Sequence, residues 1–126
     1  MSRRTRQVGE FIKEELTDII RREMKDPRIG FMSITAVEMS PDLRSARVYV
    51  SVLGTDEERT GTLNALRAGA GFLRHHLKPR MHMRQIPELD FRDDRSMEHA
   101  AEIARAISEM HRLETKPKPI SGSDAS

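Results

Sequence analysis

Cysteine is absent from all 126 residues. Its absence excludes a disulfide framework and a cysteine-ligated zinc site, and fits a reducing compartment. Long apolar runs are also missing. None approaches the roughly 20 residues that a membrane helix needs, and the basic N-terminus lacks the apolar h-region of a secretory signal. A soluble, cytoplasmic protein without membrane contact is therefore expected. Catalytic signatures are equally scarce: the chain has no phosphate loop, Gly-rich dinucleotide fingerprint, His-Glu-x-x-His pair or Gly-x-Ser-x-Gly elbow. With no visible nucleophile, we expect no enzyme, no cofactor and no metal. There is no internal repeat, and 14.4 kDa suits one domain with tails, large enough to bury about two-thirds of its unfolded surface.

What is present is segregated positive charge. From Leu63 to Arg84 there are five cations, Arg67, Arg74, Lys78, Arg80 and Arg84, and no acid. The rest of the chain is then net −3 against an overall +2. A second acid-free cluster, Arg3, Arg4 and Arg6, lies within the first nine residues. Such segregation is the electrostatic footprint of a polyanion such as nucleic acid, weighed against chance clustering on solvated faces.

Residues 4–25 read as an amphipathic helix with Val8, Phe11, Ile12, Leu16, Ile19 and Ile20 on one stripe. Pro27 should end it near Met24 or Lys25. Arginines at its start oppose the helix dipole, so Arg3, Arg4 and Arg6 either form a flexible arm or meet phosphate. Met32 to Met39 reads as a strand whose apolar positions slip phase once, placing a bulge near Thr35 or Ala36. Ser40-Pro41-Asp42 supplies a turn. Ala46, Val48, Val50 and Val52 then alternate with polar residues in a strand paired antiparallel with the first.

Thr55 and Glu58 form a capping box opening a helix with Leu63, Leu66, Ala70, Leu73 and Leu77 on its apolar stripe. Gly69 and Gly71 predict a kink or break, and Pro79 a stop. Ile86, Leu89 and Phe91 fit a third strand, held to an edge or to its own start by Pro87. Asp94 or Ser96 can cap a last helix with Met97, Ala100, Ala104, Ile107 and Met110 inward. The methionines are expected to fill the core. Residues 1–114 form the expected domain and 115–126, rich in Lys, Pro, Ser and Gly, a disordered tail. This order predicts one α+β layer pair, a mixed three-stranded sheet with helices on one face.

Several of these motifs together resemble the ribosome-binding factor A family, from Arg4 to about Leu113. They are Asp26-Pro27-Arg28, Ser40-Pro41-Asp42-Leu43-Arg44-Ser45-Ala46, Val48-Tyr49-Val50-Ser51-Val52-Leu53-Gly54, Gly71-Phe72-Leu73-Arg74 and Ile86-Pro87-Glu88-Leu89-Asp90-Phe91, with Asp94 and Ser96 following. The resemblance implies a type II KH-like fold in the order α-β-β-α-(kink)-α-β-α. It also implies binding to the immature small (30S) ribosomal subunit and its 16S rRNA, with assistance to 5′-end maturation that matters most in the cold. A ribosome-assembly GTPase that releases the factor is a further implied partner, and the protein is expected to be a monomer. One departure stands out: Gly69-Ala70-Gly71 occupies the place of the Gly-x-x-Gly clamp of sequence-reading KH domains, and the family would carry alanine where Gly69 stands.

The expected RNA-binding set is Arg3, Arg4, Arg6, Arg67, Gly71, Arg74, Lys78, Arg80 and Arg84. At helical spacing Arg67, Gly71, Arg74 and Lys78 share a stripe, and a break would leave N–H groups open to an anion. The alternative is that the glycines only permit close packing. Tyr49 either stacks on a base or is a strand former. His75, His76 and His82, among cations, suit phosphate better than zinc. Glu88, Asp90, Asp93 and Asp94 read as a strand face and helix cap rather than a magnesium site. A protein-interaction module that docks another assembly or translation factor remains the alternative function.

Overall fold

The computed structural model describes residues 2–94 and 96–115. They fall into two compact units, Met1–Asp94 and Arg95–Ser126. The tail expected from residue 115 onward lies, apart from Thr115, outside the described residues.

Helix α1 spans Arg3–Glu23 and starts on Ser2, whose Oγ accepts the Thr5 N–H at 3.1 Å. Arg3, Arg4 and Arg6 are therefore the first turns of a capped helix rather than an arm. Ile12, Leu16, Ile19 and Ile20 are buried as the periodicity predicts, but Phe11 is 40% exposed at the stripe's edge. Pro27 has its expected effect: Met24 is already extended, and Asp26 closes a tight turn by accepting from the Arg28 N–H at 2.9 Å.

Strands β1 (Phe31–Met39) and β2 (Ser45–Leu53) pair antiparallel, with the register shifting between Ile34 and Ala36. The expected bulge therefore falls at Thr35. Its hydroxyl donates to the Asp94 carboxylate at 2.5 Å. In the turn, the Ser40 Oγ accepts from the N–H groups of Arg44 and Ser45, and Leu43 adopts a left-handed φ of 62°.

Helix α2 (Asp56–Ala68) opens on the expected capping box and ends at Gly69, where α3 (Ala70–Leu77) begins. A 3₁₀ turn, Lys78–Arg80, ends the helical segment at Pro79. Strand β3 (Glu88–Asp93) adds parallel to β2 in the order β1-β2-β3, giving the mixed sheet. Pro87 directly precedes β3, and β3 is an edge. Helices α1 to α3 cover one face. Their Leu16, Leu66, Leu73 and Leu77 pack with Ile34, Val48, Val50 and Phe91 in one core. Met39 and Met81 join it, and Met24, Met32 and Met83 pack against its edge.

The second unit holds helix α4, Ser96–Thr115. Of the stripe expected to face inward, the side chains of Met97 and Ala100 lie outside the described residues. Ala104, Ile107 and Met110 are exposed, as is Ile103. Periodicity marks such a stripe equally well whether or not another layer covers it.

Candidate nucleic-acid interface

The helix break is real but slight. Gly69 sits at φ −93°, ψ 10°; its N–H donates to the Ala65 carbonyl and its carbonyl accepts the Leu73 N–H, each at 2.9 Å. A Cβ at Gly69 would stand 2.5 Å from the Met24 methyl, so this glycine leaves room for the Met24 side chain that follows α1. At Gly71 nothing among the described residues lies within 4 Å of that position, and the start of α3 is open to them there. The packing reading thus suits Gly69, whereas Gly71 keeps the room an anion needs.

The five cations of the acid-free segment divide. Arg67 donates through Nε and Nη2 to the Phe91 carbonyl, at 3.2 and 2.8 Å. Arg74 forks onto two carbonyls, Nε to Pro87 at 3.0 Å and Nη2 to Ile86 at 2.8 Å. These two arginines tie the helices to β3 and to the segment leading into it. Their charge is retained, and each guanidinium has N–H groups left over.

Arg80 binds α1, donating to Glu15 at 2.9 Å and Asp18 at 3.0 Å. Those bonds, Glu15's first, raise its pKa above the ordinary arginine value. The Arg80 bond in turn lowers the Asp18 carboxyl below the usual range, aided by Arg22. Lys78 and Arg84 are exposed, and their side chains make no hydrogen bond or ion pair with the described residues. The same holds for Arg3, Arg4 and Arg6.

The Arg80 contacts also bring the two basic clusters to one side. After α3 the chain runs back along α1, so that Arg80 to Met83 form a shallow cleft with Gln7, Val8 and Phe11. Arg3 and Arg4 lie one helical turn before Gln7 and Val8. Charge counting found both clusters but could not join them, because the joining contact spans 65 residues.

The open face of the sheet is a weaker candidate. There Arg47 stands beside Glu38 and Asp90 on the neighbouring strands, and Arg92 pairs with Asp90 at 3.0 Å. The Tyr49 hydroxyl donates to Glu38 at 3.3 Å. Alternating charge gives this face little pull on a polyanion.

Two further carboxylates also have protein roles, while Glu88 is exposed. Asp93 faces the buried Arg59 at 3.7 Å, and Asp94 accepts from Thr35. Among the described residues no cluster of three acids or histidines is placed to hold a metal. His76 packs against Phe72, ring centroids 4.5 Å apart, with His75 beside it. The sequence reading counted Phe11 with the apolar stripe and gave Phe72 no site role, yet they are 40% and 43% exposed. An aromatic at the margin of an apolar stripe was the available signal.

Known proteins give this geometry its context. The family model described as ribosome-binding factor A matches residues 4–107. The chain is 50% identical over 109 residues to ribosome-binding factor A of Thermomicrobium roseum, covering 86% of this chain and 84% of that one. It is 46% identical to the Staphylococcus epidermidis factor, covering 86% and 94%. The crystal structure of ribosome-binding factor A from Thermus thermophilus aligns with a TM-score of 0.64 at 29% identity, over 71% of this chain and 93% of that one. A homology model of the Thermus thermophilus factor, fitted into a cryo-EM map of a 30S complex, aligns with a TM-score of 0.58 at 31% identity, over 69% and 91%. With the shared fold and a match over most of its length, the chain belongs to the ribosome-binding factor A family.

Proposed function

We propose that this protein binds the immature small (30S) ribosomal subunit through its 16S rRNA and assists maturation of the rRNA 5′ end, above all at low temperature. It works as a cytoplasmic monomer, performs no bond chemistry of its own, and leaves the particle with the help of a ribosome-assembly GTPase. The supporting observation is the set of exposed cations that are unengaged among the described residues, Arg3, Arg4, Arg6, Lys78 and Arg84, on two segments that Arg80 draws together. Cations so arranged neutralise phosphates without reading bases. Arg67 and Arg74 add charge at positions fixed by their contacts with neutral carbonyls, Arg80 holds the two segments together through Glu15 and Asp18, and Gly71 leaves the start of α3 approachable. The fitted 30S complex of the Thermus thermophilus relative supports the choice of particle.

The test is co-sedimentation with purified immature and mature small subunits across a salt series. If about six phosphates are neutralised, log K should fall with log salt at a slope of about −4 to −5. Preference for the immature particle is expected. Salt-insensitive binding would sink the RNA reading and favour docking to a protein factor.

A further inference from the structure

We infer that the cleft between α1 and the segment after α3 seats one unstacked nucleobase of single-stranded RNA, with Phe11 as the stacking platform. This rests on the RNA-binding reading above and says which residue touches a base. The cleft measures about 350 Å³ and has an apolar floor of Val8, Phe11, Met81 and Met83. Phe11 is 40% exposed although its neighbour Ile12 and, further along, Leu16 are fully buried. The ring is therefore left over from core packing and stands at a concave surface.

Gln7, Arg80 and His82 also line the cleft. A primary amide presents a donor beside an acceptor, as does the hydrogen-bonding edge of a base. A volume of about 350 Å³ admits a single base.

Charge argues for the same occupant. Arg3 and Arg4 stand one turn before the cleft on α1, and Arg84 follows His82 by two residues; all three are exposed and unengaged among the described residues. Of the nearby acids, Glu15 and Asp18 are bonded to Arg80, while Glu10 and Glu14 are exposed on α1. An apolar peptide would have no use for a cationic rim, and a bare phosphate none for an apolar floor. A nucleotide uses both: the base stacks while flanking phosphates meet arginine.

The test uses the full chain, a short unstructured RNA oligonucleotide, the same oligonucleotide made abasic, and small subunits. Phe11→Ala should weaken binding of the intact RNA roughly tenfold without changing the salt slope, and leave abasic binding unaltered. Phe11→Trp should stay within about twofold of wild type, which keeps the test decisive if Phe11→Ala folds poorly. Arg3→Gln with Arg4→Gln should weaken both oligonucleotides alike and flatten the slope. Wild-type affinity in Phe11→Ala, or an equal loss on intact and abasic RNA, overturns the proposal. So does a loss on subunits with none on RNA, which would put a ribosomal protein in the cleft. Subunit binding with no oligonucleotide binding by the wild type also overturns it while leaving the broader function standing. A chain that binds neither would remove both.

Discussion

At Gly9 a side chain would begin 2.6 Å from the carbonyl oxygen of Val37. Helix α1 thus crosses edge strand β1 at a distance only glycine allows. Alanine favours a helix interior by about 1 kcal/mol over glycine, yet Gly9→Ala should destabilise the protein by roughly 1–3 kcal/mol, the usual cost of overpacking. Gly71→Ala, with open space around it, should instead gain up to about 1 kcal/mol. Urea melts of the two variants check the contrast; a Gly9→Ala protein as stable as wild type would mean that α1 lifts away freely.

Arg74 and Lys78 carry the same charge but should behave differently on mutation. Arg74→Gln strands the carbonyls of Ile86 and Pro87, and should cost roughly 1–3 kcal/mol. Lys78→Gln removes an exposed cation and should stay within about 0.5 kcal/mol, while weakening subunit binding and flattening its salt slope by about one unit. Melts and salt titrations run in parallel separate the two effects. Treating Arg74 as a purely exposed charge would predict no change in its melt.

Acid should weaken the fold. Hydrogen bonds from the Arg28 side chain, then from its backbone N–H, lower the Asp26 carboxyl from 3.8 to about 2. A carboxyl depressed in the folded state adds stability above its unfolded pKa and loses it as pH falls through the folded one. The window is therefore from about pH 4 down to about pH 2. Asp18, Asp42 and Glu58 are lowered too and act in the same direction. Solvent screens the exposed Asp26 pair, so its share is small. The urea midpoint should fall across that window, and Asp26→Asn should fall less steeply; a midpoint that rose on acidification would contradict the assignment.

Thr55 caps α2 by accepting the Glu58 N–H through its Oγ1 at 3.1 Å, and the Glu58 carboxylate accepts the Thr55 N–H at 2.8 Å. Thr55→Ala should cost about 1 kcal/mol. Its denaturation midpoint, with an unchanged slope, is the measurement.

Local chemistry made much of this fold legible in advance. The bulge at Thr35, the box at Thr55 and the break at Gly69 each depend on residues within a few positions of one another, and each appears where expected. What escaped depends on distant groups. Nothing near Arg74 in sequence announces the Ile86 and Pro87 carbonyls, and nothing near Gly9 announces Val37. The candidate site suffered most, because an arginine that clasps a carbonyl reads the same as one that awaits phosphate. The stripe of α4 shows the converse: 3.6-residue periodicity marks an apolar side without saying whether another layer lies over it.

The parallel pairing of β2 with β3 also has a kinetic consequence. The β1–β2 hairpin closes through a short turn, whereas aligning Ser45 with Glu88 requires closing a loop of roughly forty residues, an entropic cost met before any contact there repays it. The hairpin can therefore assemble early and β3 dock late, with the forks of Arg67 and Arg74 forming as β3 arrives. Loosening those forks should then speed unfolding far more than it slows folding, so the edge holding β3 sets how long each folded molecule lasts.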